Sequence, residues 1–225
     1  MLVSHRHGFI YIKTVKTAGT SVERALEPFC RDSPDDPAGT ETAAGIVGVR
    51  GDGVAGARWR HHMPARAIRR ELGAKTWRRY LKICNIRNPW DKTVSWFHHR
   101  HPALAEAPPD AVIAAFRGWL ATTDRLGQDF GKYTLAGRPV ADVHIRYGAL
   151  DADFAALCAR LGLGEVALGR YKTGARGAER TDYRAYYDAE ARARVASAFA
   201  PDIAAFGWRF DDEMPGSLPE QGKDG

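Results

Sequence analysis

The sequence predicts an α/β fold in which a mostly parallel central sheet is flanked by helices on both faces. Three observations carry this expectation. A short apolar run at residues 8–13 (GFIYIK) is followed, after a loop rich in lysine and hydroxyls, by apolar residues at helical spacing. The same order returns at residues 80–86 (YLKICNI), after which Asn88-Pro89 opens a segment with Trp90, Val94 and Phe97 on one face. A third alternating run, Val143, Ile145 and Tyr147, leads into a helix near Asp151. Strands that alternate with helices are joined by crossovers, and crossovers make parallel neighbours.

In the first unit the helix through Val22, Ala25, Leu26 and Phe29 begins at Thr20, which stands three residues before Glu23 with the spacing of a capping box. Its start therefore lies at the end of the loop over residues 14–19. Residues 31–60 are dense in Gly, Asp, Pro and Thr, and are expected to leave the core as one long irregular loop. Pro64 suits the first turn of a brief helix through Ala65, Ile68 and Leu72, with Gly73 as its terminator. Residues 111–120 read as a helix through Val112, Phe116, Trp119 and Leu120. Asp151 is expected to cap a helix whose Phe154, Leu157, Cys158 and Leu161 fall at i, i+3, i+4 and i+7, ahead of Gly162. The last helix is expected to run from Asp188 past Phe199. A single domain over residues 1–210 follows, with residues 211–225, rich in Gly, Pro and acids, as a flexible tail.

Charge and cysteine usage narrow the functional classes. The formal net charge of +6 favours an anionic partner, and by itself does not separate a phosphorylated cofactor from a polyanion or nucleic acid. Of the basic residues 25 are Arg and eight Lys; the planar fork of Arg suits bidentate phosphate or sulfate, although a GC-rich genome gives the same bias. Cys30, Cys84 and Cys158 are widely separated and odd in number, which argues against a disulfide framework or a zinc knuckle and for a reducing compartment. No signal-like h-region opens the chain and no stretch reaches membrane-spanning length, so a cytoplasmic protein with no integral membrane segment is expected. His98, His99 and His101 form a tempting cluster. Adjacent positions on a helix point about 100° apart and no carboxylate or Cys accompanies them at ligand spacing, so they are assigned to the surface and no metal is expected.

Two motifs carry chemistry. The first, Lys13-Thr14-Val15-Lys16-Thr17-Ala18-Gly19-Thr20-Ser21, joins a strand to a helix N-terminus, where unsatisfied N–H groups and the positive end of the dipole favour phosphate or sulfate. Lys16 adds full charge, Thr17, Thr20 and Ser21 add donors, and Gly19 admits close backbone approach. It is not a Walker A loop, because Lys16-Thr17 precedes the Gly, whereas GxxxxGK[ST] puts Lys after the second Gly. Read alone, it is equally a surface turn with a capped helix. In the second motif Arg87 ends a strand and Ser95 follows eight residues later on the adjoining helix, so that a guanidinium and a hydroxyl can converge on one phosphate.

In this order the two motifs resemble those of the sulfotransferases that use 3′-phosphoadenosine 5′-phosphosulfate (PAPS), most nearly the carbohydrate-type branch and its small bacterial relatives. The likeness extends through Arg60-His61-His62-Met63-Pro64-Ala65, the stretch from Val143 to Asp151, Tyr183-Arg184-Ala185-Tyr186-Tyr187-Asp188 and Phe206-Gly207-Trp208-Arg209-Phe210. It departs at Gly148, where IRYGAL stands for the IRYENL of relatives, and it offers no counterpart for residues 31–60. The resemblance implies a P-loop-like three-layer sandwich and PAPS as sulfuryl donor, with no metal. It also implies roles: the loop Lys16, Thr17, Ala18, Gly19, Thr20 and Ser21 around the 5′-phosphosulfate, Lys16 at the bridging oxygen, and Arg87 with Ser95 at the 3′-phosphate. His62 becomes the base, with His61 its neighbouring competitor. The segment from Arg170 to Arg176, basic and containing Gly174, reads equally as a flexible solvated loop or as one that closes over the donor, and on the second reading Lys172 and Arg176 join the binding set.

The expected acceptor is a small molecule or carbohydrate hydroxyl, with no nucleic acid involved; neither acceptor identity nor oligomeric state is written in the sequence. Two other classes remain open on the residues alone. A P-loop-type nucleotide kinase or phosphotransferase shares the architecture, but the GK[ST] it would carry is missing here. A non-catalytic nucleic-acid binder would use the basic residues between Arg58 and Arg70, with Arg78-Arg79, and would bind with steep salt dependence.

Overall fold

The computed structural model describes residues 1–51, 55–169 and 181–219. A five-stranded sheet forms its centre, built from β1 (Leu2–Ser4), β2 (Phe9–Ile12), β3 (Gly45–Val47), β4 (Leu81–Ile86) and, after two further short strands, β7 (Val143–Arg146). Their spatial order is β3-β1-β2-β4-β7. Within it, β2, β4 and β7 are parallel neighbours, in register Tyr11 with Ile83 and Asn85 with Ile145. At the other edge β1 lies antiparallel to both β2 and β3. The sheet is therefore mixed, not mostly parallel. The cause is local: only residues 5–8 separate β1 from β2, a length that allows a hairpin and no crossover. Residues 31–60, expected to stay outside the core, return to it as the edge strand β3, and Trp59 is fully buried.

Helices cover both faces, as alternation along the strands requires. Tyr11, Ile83 and Ile145 point to the face covered by α1 (Gly19–Leu26) and α5 (Leu150–Leu161). Ile10, Ile12, Cys84 and Ile86 point to the face covered by α2 (Ala65–Arg79), α3 (Pro89–Arg100), α4 (Pro109–Thr122), α6 (Ala189–Ala198) and α7 (Ala200–Phe206). On this second side Trp90, Phe97, Phe116 and Phe206 fill the core. The remaining strands, β5 (Thr134–Leu135) and β6 (Arg138–Pro139), make a separate hairpin; Ala136 and Gly137 both have positive φ, as a type I′ turn requires.

Several boundaries differ from those the sequence predicts. The Thr20–Glu23 capping box does not form: Ala18 is the N-cap, in the left-handed region at φ 62, and no side chain caps the helix. Gly73 ends the first helical segment of α2, as expected. Its backbone is non-helical (φ 78, ψ 156), and what the sequence did not show is a second helical segment that follows directly to Arg79 and buries Trp77. Asp151 lies in the first turn of α5 and is not its cap. The last helix breaks at Phe199 into α6 and α7, and Pro201 occupies the first turn of the second. Asn88 caps α3 by accepting from the Trp90 N–H, and Asp188 caps α6 by accepting from the Ala191 N–H. No described helix is long and apolar enough to cross a membrane.

Candidate functional site

The C-terminal ends of β2, β4 and β7 share one edge of the sheet, so the segments that follow them, beginning at Lys13, Arg87 and Tyr147, meet there. They wall a cavity of about 850 Å³. Lys13 through Ser21 form one wall, His61 and His62 a second, Arg87 and Ser95 a third, and Lys132, Tyr147 and Asp151 add to the rim. Every sequence-predicted site residue within the described range is thus brought to a single cavity. Lys172 and Arg176 lie outside the described residues.

The loop is held from beneath. The Asn85 amide donates to the Thr17 carbonyl (2.9 Å), while its side-chain oxygen accepts from the buried Tyr11 hydroxyl (2.8 Å). Thr14 donates to the Asn85 carbonyl (2.7 Å), and the Thr14 and Thr17 hydroxyls share a bond of 2.8 Å. The Val15 N–H donates to the Asp129 carboxylate (2.6 Å), which also binds the buried Lys92 ammonium. Lys16 (φ 57) and Ala18 (φ 62) both adopt the left-handed conformation, which is strained for residues with a Cβ. A Cβ on Gly19 would come within 3.2 Å of the Thr14 carbonyl oxygen, so the turn closes tightly there. No side chain caps the helix at Ala18, and the Ser21 N–H turns back to the Ala18 carbonyl (3.0 Å), so the start of α1 opens on the cavity with the N–H groups of Gly19 and Thr20 at its tip.

Glu23, fully buried, has a role its sequence position did not suggest. It receives Lys13 Nζ (2.5 Å), the Met1 amine (3.3 Å) and Arg50 Nε (3.0 Å). Burial pushes its carboxyl pKa up, but these cations outweigh burial and leave it below the usual range.

Arg87 is 7% exposed and is fixed on three sides. Nε donates to Asp91 (2.5 Å), Nη1 donates to the Lys16 carbonyl (2.8 Å), and the guanidinium stacks 3.7 Å from the Tyr147 ring centroid. A guanidinium has five N–H groups, and bonds to the described residues engage two of them, which leaves three for an anion. Arg87 also separates the cavity from a second hollow of about 450 Å³ lined by Asn88, Tyr147, Tyr183, Arg184 and Glu213. The half-buried Ser95 faces the first cavity from α3.

The two histidines are set in matching tautomers. His62 Nδ1 lies 3.1 Å from the Lys13 carbonyl and His61 Nδ1 lies 2.9 Å from the Val49 carbonyl. A carbonyl only accepts, so both Nδ1 atoms carry hydrogen and both Nε2 atoms hold a lone pair. Burial, and then the charge of Lys132, hold the His62 pKa down to about 3; burial also lowers that of His61. The neutral imidazole is therefore the resident form of His62 at neutral pH.

The other histidines do not share one environment. His98, assigned to the surface from sequence, is buried, with Nε2 2.8 Å from the Tyr186 hydroxyl, whereas His99 is exposed at the cavity rim. Residues 211–217 pack back on the molecule: Asn88 Nδ2 donates to the Arg209 and Asp212 carbonyls, and the Ser217 N–H donates to the Phe206 carbonyl. They also account for Gly148, where a Cβ would press within 3.1 Å of the Glu213 carbonyl oxygen and 3.2 Å of Met214 Sδ.

Sequence reasoning missed Asn85, Lys92, Asp129 and Lys132. Asn85 sits inside an apolar strand, where a lone amide is a signal by itself. Asp129 and Lys132 lie in an aperiodic stretch that has no local pattern to mark them.

Fold and site together define an α/β protein with a basic, hydroxyl-lined cavity at the C-terminal edge of a mixed sheet. No protein family, curated protein or solved structure matches the chain.

Proposed function

We propose that this protein is a PAPS-dependent sulfotransferase that moves a sulfuryl group to a hydroxyl of a small-molecule or carbohydrate acceptor. The observation that carries the reading is the meeting, in one cavity, of the Lys16 loop, the Arg87 and Ser95 pair and a neutral histidine. The cavity volume falls within the range of about 300–1,000 Å³ typical of small-molecule sites. Its separate cationic walls suit a donor with anionic groups at both ends.

PAPS supplies the activated sulfuryl group. The uncapped start of α1 and the hydroxyls of Thr20 and Ser21 bind the 5′-phosphosulfate, and Lys16 neutralises charge on the bridging oxygen. Arg87 and Ser95 bind the 3′-phosphate, the feature that separates this donor from ATP. His62, already neutral and with Nδ1 donated to Lys13, takes the acceptor proton on Nε2. The Lys13–Glu23 pair keeps the loop base rigid and leaves the cation work to Lys16 and Arg87.

Calorimetric titration with adenosine 3′,5′-bisphosphate, ATP and adenosine 5′-phosphosulfate tests the donor class. Tight binding of the bisphosphate alone is expected, with a loss of at least tenfold in Arg87→Ala, since charge-assisted bonds to phosphate are worth about 1.5–3 kcal/mol. Preference for ATP, or binding of none of the three, overturns the proposal.

A further inference from the structure

Lys132 belongs to none of the sequence motifs, yet it stands on the cavity wall. It ends a short 3-10 turn, Phe130–Lys132, and its backbone N–H closes that turn on the Asp129 carbonyl (2.8 Å). The Asp129 side chain is clamped to the anion loop: it accepts the Val15 N–H at 2.6 Å and is neutralised by Lys92. The turn and the loop are thus one rigid unit, and the position of Lys132 relative to Lys16 is set by a buried carboxylate. The Lys132 ammonium is half-buried, and among the described residues it makes no hydrogen bond or ion pair. Its charge is felt at His62 more strongly than that of any other group. Burial lowers its own pKa, although Asp129 partly restores it.

A partly desolvated cation that makes no ion pair among the described residues, and that lines the same cavity as His62 and the Lys16 loop, has the placement of a group that meets transient negative charge. Resting on the proposed function, we infer that Lys132 is a further catalytic residue that binds the non-bridging oxygens of the sulfuryl group during transfer. In that step the acceptor oxygen forms a bond to sulfur as the bond from sulfur to the bridging oxygen breaks. The electron pair of the broken bond leaves on the 5′-phosphate of adenosine 3′,5′-bisphosphate, and the hydroxyl proton passes to His62 Nε2. Lys16 answers the charge on the leaving oxygen, and Lys132 the charge on the three oxygens that travel. The two lysines therefore divide the donor at the bond that breaks.

This division can be read from binding alone, with no acceptor in hand. PAPS and adenosine 3′,5′-bisphosphate differ by the sulfuryl group, so equilibrium titration of both nucleotides into wild type, Lys132→Gln and Lys132→Arg isolates the Lys132 contact. Lys132→Gln is expected to weaken PAPS about tenfold, the scale of one charge-assisted hydrogen bond, and to leave the bisphosphate unchanged. Lys132→Arg keeps the charge and is expected to restore most of the PAPS affinity. Equal affinities of Lys132→Gln and wild type for PAPS overturn the inference. So does a parallel loss for both nucleotides, which would put Lys132 on a phosphate or in the scaffold; a thermal midpoint of Lys132→Gln that matches wild type guards against a folding defect. Wild type that binds neither nucleotide sinks the parent proposal and this inference with it, whereas wild type that binds both leaves only Lys132 under test.

Discussion

The carboxylate of Asp129 joins three segments of chain, and its removal should be felt in folding as well as at the cavity. In Asp129→Ala the Val15 N–H loses a charged acceptor at 2.6 Å and the Lys92 ammonium, 4% exposed, loses its nearest counter-charge. Breaking a buried pair from one side costs about 3–5 kcal/mol, and a hydrogen bond to a charged group about 1.5–3 kcal/mol. The two overlap, since one carboxylate supplies both. Lys92 also feels Asp202, a buried acid that accepts the Tyr133 hydroxyl at 2.5 Å, and this second acid limits the loss. A net cost of about 3 kcal/mol follows, near the lower end of the one-sided figure. For a chain of this length each kcal/mol moves the thermal midpoint by roughly 2–4 °C, so a fall of about 6–12 °C is expected.

Calorimetric melting of wild type, Asp129→Ala, Lys92→Met and the double variant tests the reasoning. The double variant is expected to recover at least half of the loss seen in Asp129→Ala, because removing both charges leaves none uncompensated in the interior. A midpoint change in Asp129→Ala smaller than about 2 °C would show that water or Asp202 satisfies Lys92 without Asp129. Strictly additive losses in the double variant would refute the pairing itself.

Stability is expected to fall on mild acidification. Burial holds His62 down to about 3 and His144 to about 4, while an unfolded histidine titrates near 6.5, so between these values the unfolded chain binds more protons. The folded state is fully favoured above about pH 6.5 and loses about 2 kcal/mol per histidine by pH 5, and a level set of urea midpoints at pH 7.5, 6 and 5 would contradict this. Glu23, with its pKa lowered, adds a further loss at more acidic pH. His62→Ala is expected to cut PAPS turnover by about 10²–10⁴-fold, the range of general-base contributions, while bisphosphate affinity holds. Unchanged turnover with any acceptor found by screening labelled PAPS would remove His62 as the base and turn attention to His61.

What could be read from the sequence follows the range of the interactions involved. Both strand-to-helix units were legible because the signals are local: apolar runs at Phe9–Ile12 and Leu81–Ile86, and caps such as Asn88. The direction of β1 and the return of β3 were not, since Leu2–Ser4 and Gly45–Val47 are three-residue strands whose pairing depends on each other. Gly45 illustrates the difficulty. In sequence it is one more glycine in a loose stretch; in the fold a Cβ there would lie 2.0 Å from the Val3 carbonyl oxygen, so only glycine allows the edge strand to approach β1. Glu23 misled in the opposite sense. Its three-residue spacing from Thr20 fits a capping box, but a buried Lys13 ten residues earlier offers a stronger partner than a backbone N–H, and the helix starts uncapped.

That substitution bears on what the cavity can do. A capping side chain at the start of α1 would occupy the amides that an anion needs, and a Lys13 without Glu23 would add a mobile charge beneath the loop. Burying Glu23 with Lys13 and Arg50 removes both obstacles. The Lys92–Asp129 pair does the same on the other side, taking one lysine into the interior and leaving Lys132 on the wall. The chain thus neutralises its cations in pairs where they support the loop, and keeps others at the cavity surface where an anionic ligand can meet them. Its net charge of +6 said only that an anion was a plausible partner. The sorting of lysines into buried pairs and cavity-facing groups says where that anion would sit, and this sorting depends on Asp129 and Glu23, two acids that a search for basic motifs passes over.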